Sequence, residues 1–165
     1  MTNFSFDIVS QYDKAEMNNV FDQLGREIDN RYDFKNTPAE CQWLDSDKRG
    51  FKIIGNSEWQ IEAILDIVRK KLAARDQSQK VLDVSQPIME NNLRASKDVP
   101  FREGLDQAKA KSISALLRQH FPKVKAQVQA DRLRVTSPSK DDLQAIMRLL
   151  GKQDFDFPLS FINYR

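Results

Sequence analysis

At 165 residues, with 40 % apolar and 30 % charged residues and a formal net charge of +2, the chain has the composition of a soluble globular protein of one domain or two small ones. No apolar run approaches the ~20 residues that a bilayer span needs, and MTNFSFDIVSQYD carries neither the basic stretch nor the apolar core of a secretory signal. The single cysteine, Cys41, excludes an internal disulfide and fits a reducing compartment, so a cytoplasmic location is expected.

FSFDIVS (4–10) alternates Phe4, Phe6 and Ile8 with Ser5, Asp7 and Val9 and predicts a strand. Met17, Val20, Phe21, Leu24 and Ile28 then fall at helical spacing, predicting an amphipathic helix over about 13–31. RYDFKNTP (31–38) is a loop, with Pro38 disfavouring helix at Thr37. CQWL (41–44) and FKIIG (51–55) flank the polar DSDKRG and form a hairpin. Ser57 with Gln60 matches a capping box ahead of a helix over about 58–75, whose inward residues are Ile61, Ile64, Leu65, Val68 and Leu72. The stretch 76–95 is polar apart from VLDV at 81–84.

SKDVPFRE (96–103) is a weak strand, interrupted by Pro100, which belongs at a sheet edge. Leu105, Ala108, Ile113, Leu116 and Leu117 mark a helix over about 105–120, ended by Pro122. VKAQVQADRLRV (124–135) alternates on both sides of Ala130-Asp131 and predicts a second hairpin, apolar on one face and polar on the other. Ser139 with Asp142 opens a last helix, with Leu143, Ile146, Met147 and Leu150 inward and Gly151 as C-cap. FPLSFINY (157–164) is the final strand.

The order β-α-β-β-α occurs twice. It predicts an α+β protein of two ferredoxin-like, RNP-like units, each a four-stranded antiparallel sheet with two helices on one face and the other face uncovered. The domains are placed at 1–85 and 96–165. Either VLDV supplies the fourth strand of the first sheet, or the strand at 96–103 completes that sheet and the first strand crosses to the second. Charge is unevenly divided: residues 1–85 hold 12 Lys+Arg against 15 Asp+Glu, and residues 86–165 hold 14 against 9. The second half is the better home for a phosphate-bearing partner.

Catalytic constellations are missing from the sequence. His120 is the only histidine and decorates a helix C-terminus. Cys41 follows Glu40, the wrong charge to favour a thiolate. Five scattered glycines build no phosphate loop, and Asp141-Asp142 sits where a helix N-terminus favours negative charge. No enzymatic activity and no cofactor are expected.

Three features point to anion binding. The polar face of the second hairpin carries Lys125, Gln127, Gln129, Arg132 and Arg134. Arg132 and Arg134, two apart on a strand, stand ~7 Å apart, suited to adjacent phosphates. In RYDFKN, Arg31 and Lys35 surround Tyr32 and Phe34, a pattern that stacks a base and neutralises a phosphate; the plainer alternative makes the two aromatics core plugs. In LSFINYR, alternation puts Ser160, Ile162 and Tyr164 on one face, with Arg165 beyond. The nucleotide-binding candidates are therefore Arg31, Lys35, Lys125, Arg132, Arg134, Tyr164 and Arg165. The paired aromatics of an RNA-recognition motif are missing from 124–136.

FSFDIVS, RYDFKN, VKAQVQ–LRVTS–KDDLQAIM and the terminal F-x-N-Y-R resemble, in order and spacing, the YajQ family of bacterial proteins. The resemblance covers nearly the whole chain. It implies tandem RNP-like domains in a small cytosolic protein that binds a nucleotide or single-stranded nucleic acid, RNA or a cyclic dinucleotide, without a defined enzymatic activity. The competing expectation is a protein–protein adaptor, with a protein partner or a homodimer meeting an open sheet face.

Overall fold

The computed structural model describes residues 3–165. Its elements are β1 (Phe4–Val9), α1 (Lys14–Asn30), β2 (Glu40–Trp43), β3 (Gly50–Gly55), α2 (Glu58–Ala74), β4 (Met89–Asn91), β5 (Arg94–Pro100), α3 (Gln107–His120), β6 (Lys125–Gln129), β7 (Arg132–Ser137), α4 (Lys140–Lys152) and β8 (Ser160–Ile162). They form two antiparallel four-stranded sheets, ordered β6-β7-β1-β8 and β2-β3-β5-β4. The expected α+β class with two ferredoxin-like units is the fold observed. No helix of the described residues is long and apolar enough to cross a membrane.

The chain divides into a continuous unit, Tyr12–Arg102, and a discontinuous one, the residues up to Gln11 with Glu103–Arg165. The first strands are exchanged. β1 is an inner strand of the discontinuous unit, between β7 and β8. β5 takes the equivalent inner place between β3 and β4. The boundaries 1–85 and 96–165 are corrected accordingly, in favour of the crossed arrangement. Local chain economy explains it. Asn92 and Leu93, with φ of 47° and 65°, make a two-residue turn that pairs β5 with β4 at once. β5 continues along β3, and that place in the sheet is closed to β1. VLDV is not the fourth strand: Val81 ends a 3-10 turn, and Leu82 makes a single bridge to Phe101.

Pro100 lies on an inner strand, not an edge. It is the last residue of β5, beyond the three residues that β4 covers. There the carbonyl oxygen of Pro100 accepts from the Asp83 N–H at 2.9 Å, and no N–H is needed.

The N-caps predicted at Ser57 and Ser139 form, and Asp13 and Asp106 cap two further helices. Asp13, Ser57, Asp106 and Ser139 each accept from the backbone N–H three residues on, at 2.8–3.3 Å. The box at Ser57 is displaced by one residue: Gln60 Oε1 accepts from the Asn56 N–H at 2.7 Å, and its Nε2 donates to Thr37 Oγ1. Gly151 does not cap α4, which runs through it to Lys152. Each sheet buries one face under its helices. Phe51, Ile53 and Val99 meet Leu24, Ile64 and Val68 in the continuous unit, and Phe6, Ile8, Leu133 and Val135 meet Ile113, Leu117, Leu143 and Ile146 in the other.

β3 approaches β5 closely at Gly50, opposite Pro100. A Cβ there would lie 2.7 Å from Val99 O and 2.8 Å from Pro100 Cα. Because backbone atoms cannot swing aside, Gly50→Ala is expected to cost roughly 1–3 kcal/mol. Urea unfolding measures this, and an unchanged midpoint would contradict the close approach.

Candidate functional site

Residues directly opposite in an antiparallel ladder share a face, so the register defines the uncovered face of the discontinuous unit. Gln127, Arg134, Asp7 and Ile162 make one row across all four strands. Lys125, Thr136 and Ser5 make the next, and Gln129 with Arg132 lies on the other side. The hairpin residues predicted to share a polar face do so.

The row has a buried charge at its centre. Asp7 is 1 % exposed. Arg134 donates to it through Nε (2.9 Å, to Oδ1) and Nη2 (3.4 Å, to Oδ2). Arg132 Nη1 donates to Oδ2 at 3.3 Å, and Asn163 Nδ2 to the same oxygen at 3.0 Å. Arg132 Nε also lies 3.9 Å from Asp131. The expectation that the two guanidiniums stand clear of the chain's own acids is therefore corrected: both are anchored on one carboxylate. Two cations thus face one buried acid and one exposed acid, Asp131. Arg132 Nη2 and Arg134 Nη1 have no acceptor among the described residues, and both side chains remain part-exposed.

The last residues depart from simple alternation. Asp7 pairs with Ile162, but Ser5 exchanges both backbone hydrogen bonds with Arg165, at 2.9 and 3.1 Å. Two residues, Asn163 and Tyr164, thus stand opposite Phe6, which is a β-bulge. Asn163 takes φ of 56°, a left-handed conformation that asparagine tolerates. The bulge turns the Asn163 side chain onto Asp7. It also gives Arg165, instead of Tyr164, the register position beside Ser5. Tyr164 remains exposed.

Arg31 and Lys35 belong to the continuous unit. Arg31 is bound by Asp33 at 2.8 Å and Glu27 at 3.7 Å, with its guanidinium carbon 4.7 Å from the centre of the Phe34 ring. Phe34 is buried, so it is the core plug of the plainer alternative. Tyr32 is exposed, with Lys35 Nζ 5.8 Å from its ring centre. Cys41 is also buried, and burial with the nearby Glu40 charge pushes its thiol well above the ordinary range, away from the reactive thiolate.

Asp7 and Asn163 were missed as site residues. Asp7 had a legible signal, an acid between Phe6 and Ile8 in a strand. Asn163 had none, because a bulge leaves no local pattern.

The model of the family described as "Nucleotide-binding protein YajQ-like" matches residues 4–165. The chain belongs to this family. A protein of Streptomyces avermitilis called "Nucleotide-binding protein" is 46 % identical over 171 residues, covering 100 % of both chains. Relatives of the same description from Nocardioides and Thermobifida fusca are 42 % and 40 % identical, over 100 % of both chains and over 98 % and 97 % of them respectively.

The Arg134 hydrogen bond, against the penalty of burial and with help from Asn163 and Arg132, holds the Asp7 carboxyl at about 2, below its ordinary 3.8. A folded-state value below the unfolded one stabilises fully above the unfolded value and fades as pH falls through the folded one. The shift corresponds to about 2 kcal/mol at neutral pH. Asp7→Asn is expected to lose about that much at pH 7, and its deficit against the wild type should shrink as pH falls from 4 to 2. Urea unfolding across that range is the measurement, and a deficit independent of pH would refute the linkage.

Proposed function

We propose that the uncovered face of the discontinuous unit binds the phosphate groups of a nucleotide or single-stranded nucleic acid, RNA or a cyclic dinucleotide, without catalysing a reaction on it. The observation that carries the reading is the anchored pair Arg132 and Arg134, two guanidiniums held side by side by one buried carboxylate. Asp7 fixes their orientation before a ligand arrives, which lowers the ordering cost of binding, and leaves N–H groups of both guanidiniums free for phosphate. Lys125 and Arg165 stand at the two ends of the neighbouring row, with Thr136 and Ser5 between them, and neither forms an ion pair among the described residues. Gln127 and Gln129 offer donors and acceptors to base edges, and the exposed Tyr164 ring offers a stacking surface.

The unit's formal charge fits the same reading. Its sequence up to Gln11 and from Glu103 onward holds 11 Lys+Arg against 8 Asp+Glu, whereas the continuous unit holds 15 against 16. The name shared by the relatives supports nucleotide binding. Ligands of this class are met in the cytoplasm.

Arg134→Ala is a poor test, because it strips a buried carboxylate of its main partner and is destabilising in itself. Lys125→Ala with Arg165→Ala removes two cations that the fold does not use. Titration of labelled single-stranded RNA and of a cyclic dinucleotide should give binding that weakens steeply with salt, and the double variant should lower the slope of log affinity against log salt by about two for the RNA. Binding indifferent to salt and to the double variant would refute the reading.

A further inference from the structure

An open sheet leaves its two outermost strands with a line of unpaired backbone groups. Of the four outermost strands here, β2 has four residues, β4 three and β8 three, while β6 has five. β6 also carries few of the features that usually guard an edge. VKAQVQ holds no proline and no acid, its ladder with β7 runs without a bulge, and Lys125 is the one charge of the strand.

The phase of the ladders fixes which groups of β6 are free. Ser5 turns both backbone groups to Arg165, at 2.9 and 3.1 Å, so Phe4, Phe6 and Ile8 turn theirs to β7. Their partners Ser137, Val135 and Leu133 answer them. That leaves Thr136, Arg134 and Arg132 to bond Lys125, Gln127 and Gln129. Alternation then turns the N–H and C=O of Ala126 and Val128 outward, and neither has a backbone partner there among the described residues. Their side chains lie on the helix side of the sheet, opposite Val135 and Leu133. The helices nevertheless leave them uncovered: Ala126 is exposed and Val128 is 50 % exposed.

We propose that β6 pairs with β6 of a second copy of this chain, antiparallel about a two-fold axis at Gln127. This register overlaps the whole of both strands. Lys125 stands opposite the partner's Gln129, Ala126 opposite the partner's Val128, and Gln127 opposite the partner's Gln127. It is also in phase: Ala126 and Val128, the residues with outward groups, form the hydrogen-bonded pairs, and each pair exchanges two bonds. Val128 meets the partner's Ala126 in place of water. Charge agrees, because the two Lys125 side chains are set four residues apart along the ladder, ~13 Å, beyond the ~8 Å over which salt screens them. Five residues a side fall well short of the ~20 of a standard interface, so the dimer is weak and forms as concentration rises. Its product is one eight-stranded sheet, in which the row of Arg134 and Gln127 continues into the partner's Gln127 and the partner's Arg134. The pairing rests on the edge alone and not on what the open face binds.

Sedimentation velocity of the full chain over a concentration series, with no ligand added, should show monomer passing to dimer. The Ala126 and Val128 amides should gain protection from hydrogen exchange as the dimer forms. Ala126→Pro removes an N–H that the monomer does not use, and an edge strand accepts proline where the N–H faces solvent. With one bond lost from each pair, association should weaken at least ten-fold, while dilute protein keeps its thermal midpoint. Val128→Lys places a guard charge at an exposed position and should weaken association without altering the backbone. A monomer at every concentration would overturn the proposal, as would a dimer that both variants leave intact. A dimer whose Ala126 and Val128 amides stay unprotected would put the contact on an open face and overturn it as well. Phosphate binding at Arg132 and Arg134 is untouched by any of these results.

Discussion

One carboxylate under two guanidiniums organises the discontinuous unit. Asp7 is almost without solvent, and a buried charge is tolerated only when its partners are in place. Those partners come from β7 and from the bulge after β8, so the ion cluster ties three strands across the sheet. It also fixes their register. A one-residue slip of β1 would put Asp7 among the apolar side chains under α3 and α4 and send Phe6 to the open face. The polar row and the core thus specify the same alignment from opposite sides.

The two sheets solve the same geometric problem with different chemistry. Each has four antiparallel strands, two helices on one face and an open face on the other. In the discontinuous unit the open face is knit together by its own ions, and function must use what the anchoring leaves over. In the continuous unit the cations of the open face, Lys52 and Arg94, form no ion pair among the described residues. Exchange of the first strands underlies the contrast: β1 brings an acid to one face, while β5 brings Arg94 and Ser96 to the other.

Much of this was legible in sequence because it is local. Helix starts announced themselves at Ser57 and Ser139, where a short side chain satisfies a backbone N–H three residues on. The hairpin around Ala130-Asp131 followed from period-two alternation. What was not legible was long-range. Nothing in VKAQVQADRLRV reveals that its missing counter-charge lies 125 residues away along the chain in β1. The three exposed residues of β4 carry no alternation to read, so the strand that seats β5 looked like linker. Asn163 became visible only through the backbone, since the left-handed conformation that aims it at Asp7 depends on Arg165 pairing with Ser5. The RYDFKN segment shows the opposite failure: an aromatic next to a cation looked like a ligand platform, and burial made Phe34 a plug.

The exchanged first strand also sets an order of assembly. A ribosome delivers β1 first, yet its ladder partners are the last third of the polypeptide. The intervening unit is contiguous and can close while synthesis continues. Phe6, Ile8 and Asp7 must wait, two greasy side chains and a charge on a tether without a sheet. The nascent protein therefore spends much of its translation with β1 as an unsatisfied strand, the kind of segment that chaperones recognise and that aggregation exploits.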